Sequence, residues 1–254
     1  MKNQNCYLCG SDQNIGRLGS VRDNPEIKPL ECVDCGLVFL SSVGHIAEEH
    51  YAESGMHNGA MPDVESWLKK TAFDDERRFQ FMKDQITNKT VLDFGCGAGG
   101  FLDRAKLLAS EVSGVELEKA LQTSFYEREL NVFSNLQLAQ ENGQMIIEVP
   151  SANDALLTLY KNQSFQNFTY WSQHLYLFNS QTLSDLIKQS GLKLNWLKYI
   201  QRYPLSNHLY WLANGKPGGH HKWSFLNDNQ LNKTYESQLA SIGKTDTLIV
   251  GVSR

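Results

Sequence analysis

Apolar positions recur along this chain at two periods, and each period predicts an element. From Val64 to Ile86 they fall at 64, 67, 68, 72, 79, 82 and 86. That is the i, i+3, i+4 spacing of an amphipathic helix, opened by Asp63 and Glu65. A break is expected near Phe73-Asp74, and the charged run Asp74 to Arg78 reads as a solvated face. Short apolar or alternating runs at 36–40, 90–94, 112–116, 144–150, 192–200 and 247–252 predict strands, with a further start at Asn131-Val132-Phe133. Helices are expected over about 99–109 and 117–130, and after the Asn179-Ser180 cap, where Gly191 supplies a stop. Strands alternating with helices predict an α/β chain built on a parallel sheet. The stretches 151–159 and 165–178 carry no clear period and read as loops dense in aromatic residues.

The chemistry enters where the run 90–94 ends. Asp93-Phe94-Gly95-Cys96-Gly97-Ala98-Gly99-Gly100-Phe101 places four glycines within six positions, between a strand and a helix. Glycine lets the backbone take positive φ and lets a ligand approach main-chain atoms with no Cβ in the way. In an open α/β sheet this turn is where a nucleotide-like cofactor binds. Gly95-x-Gly97-x-x-Gly100 also satisfies the dinucleotide pattern, with Glu116 about 20 residues on. Asp93 tilts the balance, because a carboxylate beside the turn repels a pyrophosphate and attracts a cationic amine. The complete Asp-x-Gly-x-Gly-x-Gly resembles the first motif of class I S-adenosylmethionine (SAM)-dependent methyltransferases. The resemblance implies a cofactor site at Asp93, Gly95, Cys96, Gly97, Gly99 and Phe101, with Glu116 accepting from both ribose hydroxyls. Within that site Cys96 reads as a small buried filler.

Composition narrows the class. The chain has 254 residues and a net charge of −4, and no apolar run approaches the roughly 18 residues that cross a membrane. Neither a nucleic-acid footprint nor a membrane span is expected, the N-terminus lacks a signal-peptide core, and a cytoplasmic protein is the default. Four of the five cysteines form two tight pairs, Cys6-x-x-Cys9-Gly10 and Cys32-x-x-Cys35-Gly36. This is the spacing of a tetrahedral four-cysteine structural zinc site, in a segment too short to fold on its own core. Two disulfides or a redox pair are the alternatives; a cytoplasmic chain argues against the first and the doubled motif against the second. The connector 41–62 carries His45, His50, Tyr51, Met56 and His57, side chains that suit a cofactor edge or a packed linker equally.

One interval is too short. After the expected helix 117–130, only 13 residues remain before the strand at 144, far fewer than the further strands and helices of a complete class I methyltransferase require. Asn131 to Phe133 would begin a third strand and Leu136 to Asn142 would be the last turns of a helix. The fourth strand and the adenine-side acid are missing. Farther on, the segment 201–245 is too long for a hairpin loop and crowds Arg202, Tyr203, Asn207, His208, Tyr210, Trp211, His220 and His221 together. His174, His208 and His220 are the candidate general bases.

In sequence order, a four-cysteine unit, a glycine-turn core and a His- and Tyr-rich extension resemble the zinc-containing sugar C-methyltransferases. That resemblance implies a Rossmann-like sheet, shortened, with a zinc unit at 1–40, a connector and helix at 41–86, a SAM-binding core at 87–200, a substrate-side insert at 201–245 and a closing strand at 246–254. It implies methyl transfer to a nucleotide-linked or glycan-linked sugar, with a histidine base. The alternatives are a catalytically impaired methyltransferase-like binding protein and an NAD(P)-dependent oxidoreductase.

Overall fold

The computed structural model describes residues 5–46, 49–53, 57, 60, 63–135 and 143–254. The expectations for Met56 and for a helix over 136–142 lie outside them. The chain divides into two compact units, one of residues 1–45 with 142–254 and one of residues 46–141.

The N-terminal strands β1 (Asn14–Gly16), β2 (Pro29–Cys32) and β3 (Val38–Leu40) pair antiparallel in sequence order. The unit 46–141 then holds α1 (Val64–Ile86), β4 (Thr90–Phe94), α2 (Gly100–Ala105), β5 (Glu111–Val115), α3 (Gln122–Glu127) and β6 (Asn131–Phe133). Its sheet is parallel in the order β4-β5-β6, with Asp93 opposite Gly114 and Phe94 opposite Val115. Strand, glycine turn, helix and parallel strand are the first half of a doubly wound fold, as expected. Helix α1 is capped by the Asp63 side chain on the Ser66 amide and runs unbroken through Phe73-Asp74. The charged run is not a solvated face. Asp75 is buried, Arg77 pairs with Asp74 at 3.1 Å, and Glu76 pairs with Arg104 of α2 at 3.0 Å. Helix α2 ends at Ala105, short of the expected 109, and the helix expected over 117–130 begins as a 3-10 turn at Lys119–Leu121. All three helices cover the sheet face bearing Val91, Val112 and Val132.

Back in the first unit, the chain forms β7 (Met145–Pro150), α4 (Ala155–Thr158), α5 (Gln163–Thr169), β8 (Tyr176–Leu177), α6 (Ser180–Gln189) and β9 (Lys193–Ile200). It finishes with α7 (Leu205–Asn214), α8 (Gly219–Lys222), α9 (Asn229–Ser241) and β10 (Thr247–Ser253). The aromatic stretches read as loops hold two short helices and a strand. Phe165 and Trp211 pack edge to face at 5.2 Å, and side-chain caps on Asp154 and Asn162 start the helices. Helix α6 opens with the expected cap, a reciprocal box between Asn179 and Thr182 worth about 1 kcal/mol. Strand β10 lies between β7 and β9, antiparallel to both, and is buried along nearly its whole length, which is why it reads as a continuous apolar run.

The sequence-based boundary at residue 40 dissolves here, because β3 pairs with β8 through Val38 opposite Leu177. Cys6, Cys32 and Phe39 share one core with Leu183, Leu248 and Val250. The cysteine segment is therefore a wall of the larger unit, not a separate domain. Among the described residues no helix is long and apolar enough to cross a membrane.

Candidate cofactor and metal sites

Positive-φ glycines and side-chain clamps shape the glycine turn. Gly95, Gly97 and Gly99 all sit at positive φ (73°, 53° and 79°), a region that L side chains rarely adopt. The Gly95 and Cys96 amides both donate to Val115 O, which fixes the turn to the end of β5. Arg128 donates to Ala98 O and forms an ion pair with Asp103 at 2.6 Å, holding the outer side of the turn. A Cβ at Gly100 would collide with the Asp75 carboxylate, which would have to move aside for any larger residue there.

Two sequence-assigned acids meet at this turn. Glu116 Oε2 accepts from the Gly97 amide at 2.9 Å, and its Oε1 accepts from the Glu118 amide at 3.0 Å. Among the described residues no hydrogen bond reaches the Asp93 carboxylate. Burial raises its pKa to about 6; Arg78 opposes that shift, and Asp75 and Glu116 add to it. The carboxylates of Asp75, Asp93 and Glu116 gather at the turn with the guanidiniums of Arg78, Arg104 and Arg128 around them, and Asp93, which accepts no hydrogen bond among the described residues, is the group there suited to a cation.

The remaining turn residues face inward. Cys96 is buried against Gly114 and Leu102, and its thiol is pushed up to about 12 by burial, Asp93 and Glu116. It fills space, as its place in the turn suggested. Phe101 packs with Ile86 and Ala105 in the core, so only its backbone is available to a ligand. Sequence reasoning missed Trp67, whose indole covers Gly97; a Cβ on that glycine would lie 3.3 Å from Trp67 Cζ2. It also missed Asp75 and Arg128. Trp67 was visible as an apolar-face position of α1, but nothing local says what that face meets.

In the other unit Cys6, Cys9, Cys32 and Cys35 converge, with all four sulfur atoms within 4.8 Å of one another and none in a disulfide. The Cys6–Cys35 and Cys9–Cys32 separations are 3.6 and 3.5 Å. A tetrahedron with metal–sulfur bonds of about 2.3 Å has edges of roughly 3.8 Å, so the four thiolates fit one metal ion. The glycine after each pair, Gly10 and Gly36, takes positive φ, and its amide turns back to the first cysteine's carbonyl.

The three candidate histidines, all in this unit, have different surroundings. His208 is 2 % exposed; its Nδ1 bonds Tyr235 Oη at 2.7 Å and its Nε2 contacts Gln201 Nε2 at 3.1 Å. Burial lowers its pKa to about 4, against the pull of Asp246. Both nitrogens are engaged, and the ring belongs to a polar core with Gln201 and Asp246. His220 lies against Tyr203, with Nδ1 3.3 Å from Asn207 Oδ1. His174 keeps solvent exposure and packs on Trp171 at 5.3 Å between ring centroids, while Arg22 stacks over the same indole. Its pKa is lowered by the protein around it and by Arg202 and Arg22, with Asp23 opposing, so the ring is neutral near pH 7. Asn207 is buried and bonds the Gly219 amide, which gives it a place in the α7–α8 turn.

No protein-family model matches the chain, and no curated protein matches it. Similar solved structures include a SAM-dependent methyltransferase from Archaeoglobus fulgidus, at 15 % identity and a TM-score of 0.43, covering 79 % of this chain and 97 % of that one. The magnesium protoporphyrin IX methyltransferase of Synechocystis PCC 6803 with bound S-adenosylhomocysteine (SAH) is 10 % identical with a TM-score of 0.41, over 84 % and 100 %. The geranyl diphosphate C-methyltransferase of Streptomyces coelicolor A3(2) is 12 % identical with a TM-score of 0.38, over 71 % and 80 %.

Proposed function

We propose that this chain is a SAM-dependent methyltransferase. The observation that carries the reading is the pairing of acids at the glycine turn: Glu116 held against the Gly97 amide and Asp93 left without a hydrogen-bond partner among the described residues. Glu116 suits a ribose diol, and Asp93 suits the α-ammonium of the methionine moiety. The Asp93 carboxylate beside the turn disfavours the pyrophosphate of NAD(P), which argues against the oxidoreductase alternative. Zinc is the metal we assign to the four thiolates, since a closed four-sulfur tetrahedron is its structural site.

For the acceptor we propose a nucleotide-linked or glycan-linked sugar, with a neutral histidine taking the proton that methylation releases. His174 is the preferred base, because its residue is the most exposed of the three. Calorimetric titration with SAH tests cofactor binding; transfer of a labelled methyl group to nucleotide sugars tests the acceptor. No heat with SAH at millimolar concentration overturns the first, and no labelled product from a panel of nucleotide sugars overturns the second.

A specific observation favours the second reading, a binding protein with impaired turnover. Only residues 134–144 separate β6 from β7, and among the described residues β4 pairs with β5 alone. One apolar face of that strand is open, with Leu92 39 % and Phe94 64 % exposed. SAH binding without transfer to any acceptor supports this reading.

A further inference from the structure

The four clustered thiols do not share one environment. Cys6 is 3 % exposed and Cys32 1 %, and both are sealed in the core that holds Leu183, Leu248 and Val250. Cys9 is exposed and Cys35 is half-buried. A cavity of about 360 Å³, lined by Leu8, Cys9, Cys35, Asp185, Lys188 and Gln189, opens on that second pair. Asp185, Lys188 and Gln189 make part of its wall polar, so a small polar solute can enter with water. The cluster has a sealed edge, Cys6 and Cys32, and an open edge, Cys9 and Cys35.

A thiolate held as a metal ligand is deprotonated, and oxidation by a peroxide follows thiolate character and exposure. Cys9 is the most exposed of the four. Cys32, at the end of β2, has its Sγ 3.5 Å from Cys9 Sγ, within reach to resolve an oxidised Cys9. The fifth cysteine, Cys96, lies buried in the other unit.

We propose that Cys9 is a peroxide-oxidation site through which the cluster gives up its metal. The Cys9 thiolate attacks one peroxide oxygen, the O–O bond breaks, hydroxide leaves, and a sulfenic acid forms. The Cys32 thiolate then attacks the Cys9 sulfur, forming the S–S bond and expelling a second hydroxide. Together the two thiolates lose two electrons, and the peroxide ends as two hydroxide ions. Two of the four ligands are consumed, and the metal is released. This rests on the zinc assignment and goes beyond it, since a structural site requires only that the ion stay bound. Because Cys32 shares the core of Leu248 and Val250, the same event loosens β10.

The test treats the zinc-loaded full chain with hydrogen peroxide and follows zinc release with a chromophoric chelator. Free thiols are then blocked with N-ethylmaleimide, and disulfides are mapped by peptide mass spectrometry. The expected result is one Cys9–Cys32 disulfide for each zinc released, with Cys96 still reduced. Dithiothreitol should restore zinc binding. Gln189 is an exposed residue at the end of α6, so Q189W narrows the cavity without touching a ligand. It should keep the zinc content of the wild type and slow release severalfold. Zinc retained in excess peroxide, a first disulfide that leaves out Cys9 or Cys32, or an unchanged release rate in Q189W overturns the proposal. A full chain that takes up no zinc before peroxide is added overturns the zinc assignment itself.

Discussion

Glu116 Oε2 accepts the Gly97 amide proton at 2.9 Å, tying the residue that follows β5 to the turn that follows β4. The bond orients a carboxylate across the turn before any ligand arrives. Replacing Glu116 by Gln keeps an acceptor for that amide and removes the charge; replacing it by Ala removes both. We expect E116A to lose about 1–2 kcal/mol of stability, as an unmet charge-assisted hydrogen bond requires, and E116Q to lose less. Both should weaken SAH by about tenfold or more in calorimetry. An E116A protein that binds SAH as the wild type does would remove Glu116 from the site.

Asp93 gives the site a pH dependence. Its pKa is raised to about 6, so it carries its charge above that value and loses it below. Affinity for SAM should fall as pH drops through 6, and D93N should flatten that profile. For stability the sign is opposite. A carboxyl with a folded-state pKa above its unfolded value stabilises the fold below the unfolded value, and that contribution is lost as pH rises through about 6. D93N should therefore be at least as stable as the wild type at pH 8, read from denaturant midpoints.

Asp154 makes a sharper stability case. It is buried, caps α4 through the Leu156 amide at 2.7 Å, and its pKa is raised to about 8 by burial and by Asp246. D154N keeps the capping oxygen and removes the charge. Its melting temperature should match the wild type only near pH 4 and below, and exceed it by a margin that grows as the pH rises to about 8. A deficit at pH 9 would show that the charge is compensated in a way the fold does not reveal.

The histidines separate by their surroundings. H208A should cost about 2–4 kcal/mol in urea unfolding, because it empties a fully buried site in a packed core and removes the Tyr235 hydroxyl's partner at 2.7 Å. H174Q should leave stability within about 0.5 kcal/mol and, if this ring is the base, lower kcat about 100-fold or more. Equal losses of stability in the two variants would count against this division.

Metal analysis should find one zinc per chain, and C32S should release it. Structural zinc supplies roughly 10–16 kcal/mol to a small domain. Because Cys6 and Cys32 share a core with Leu248 and Val250, the loss should unfold β10 and its neighbours as well as the N-terminal strands. Hydrogen exchange of the amides in Thr247–Ser253 reads this directly. Unchanged protection there after chelation would make the cysteine segment an independent appendage.

How much was legible varied with the range of the forces involved. The helix at Val64–Ile86, the strands around Asp93 and Glu116, the Asn179 cap and both cysteine pairs were all readable, because each is fixed by spacing within a few residues. The short helices at 155–158 and 163–169 were not, since neither is long enough to show a period and both are held by caps and distant aromatic partners. The charged run at 74–78 was misread as a solvated face because local composition cannot say that Arg104 and Gly100 lie against it.

By itself, then, the sequence determined the glycine turn with its two acids, the four thiols and the alternation of strands with helices. Those features depend on backbone permissiveness, ligand spacing and periodicity, which are local. Tertiary structure alone decided that Trp67 and Asp75 close on the turn, that His208 is sealed in the core while His174 reaches solvent, and that the cysteine segment is fused to the larger unit by the β3–β8 pairing and by the core it shares with the closing strand. Contacts between residues far apart in the sequence are set by which buried surfaces fit together, and no window of sequence carries that information.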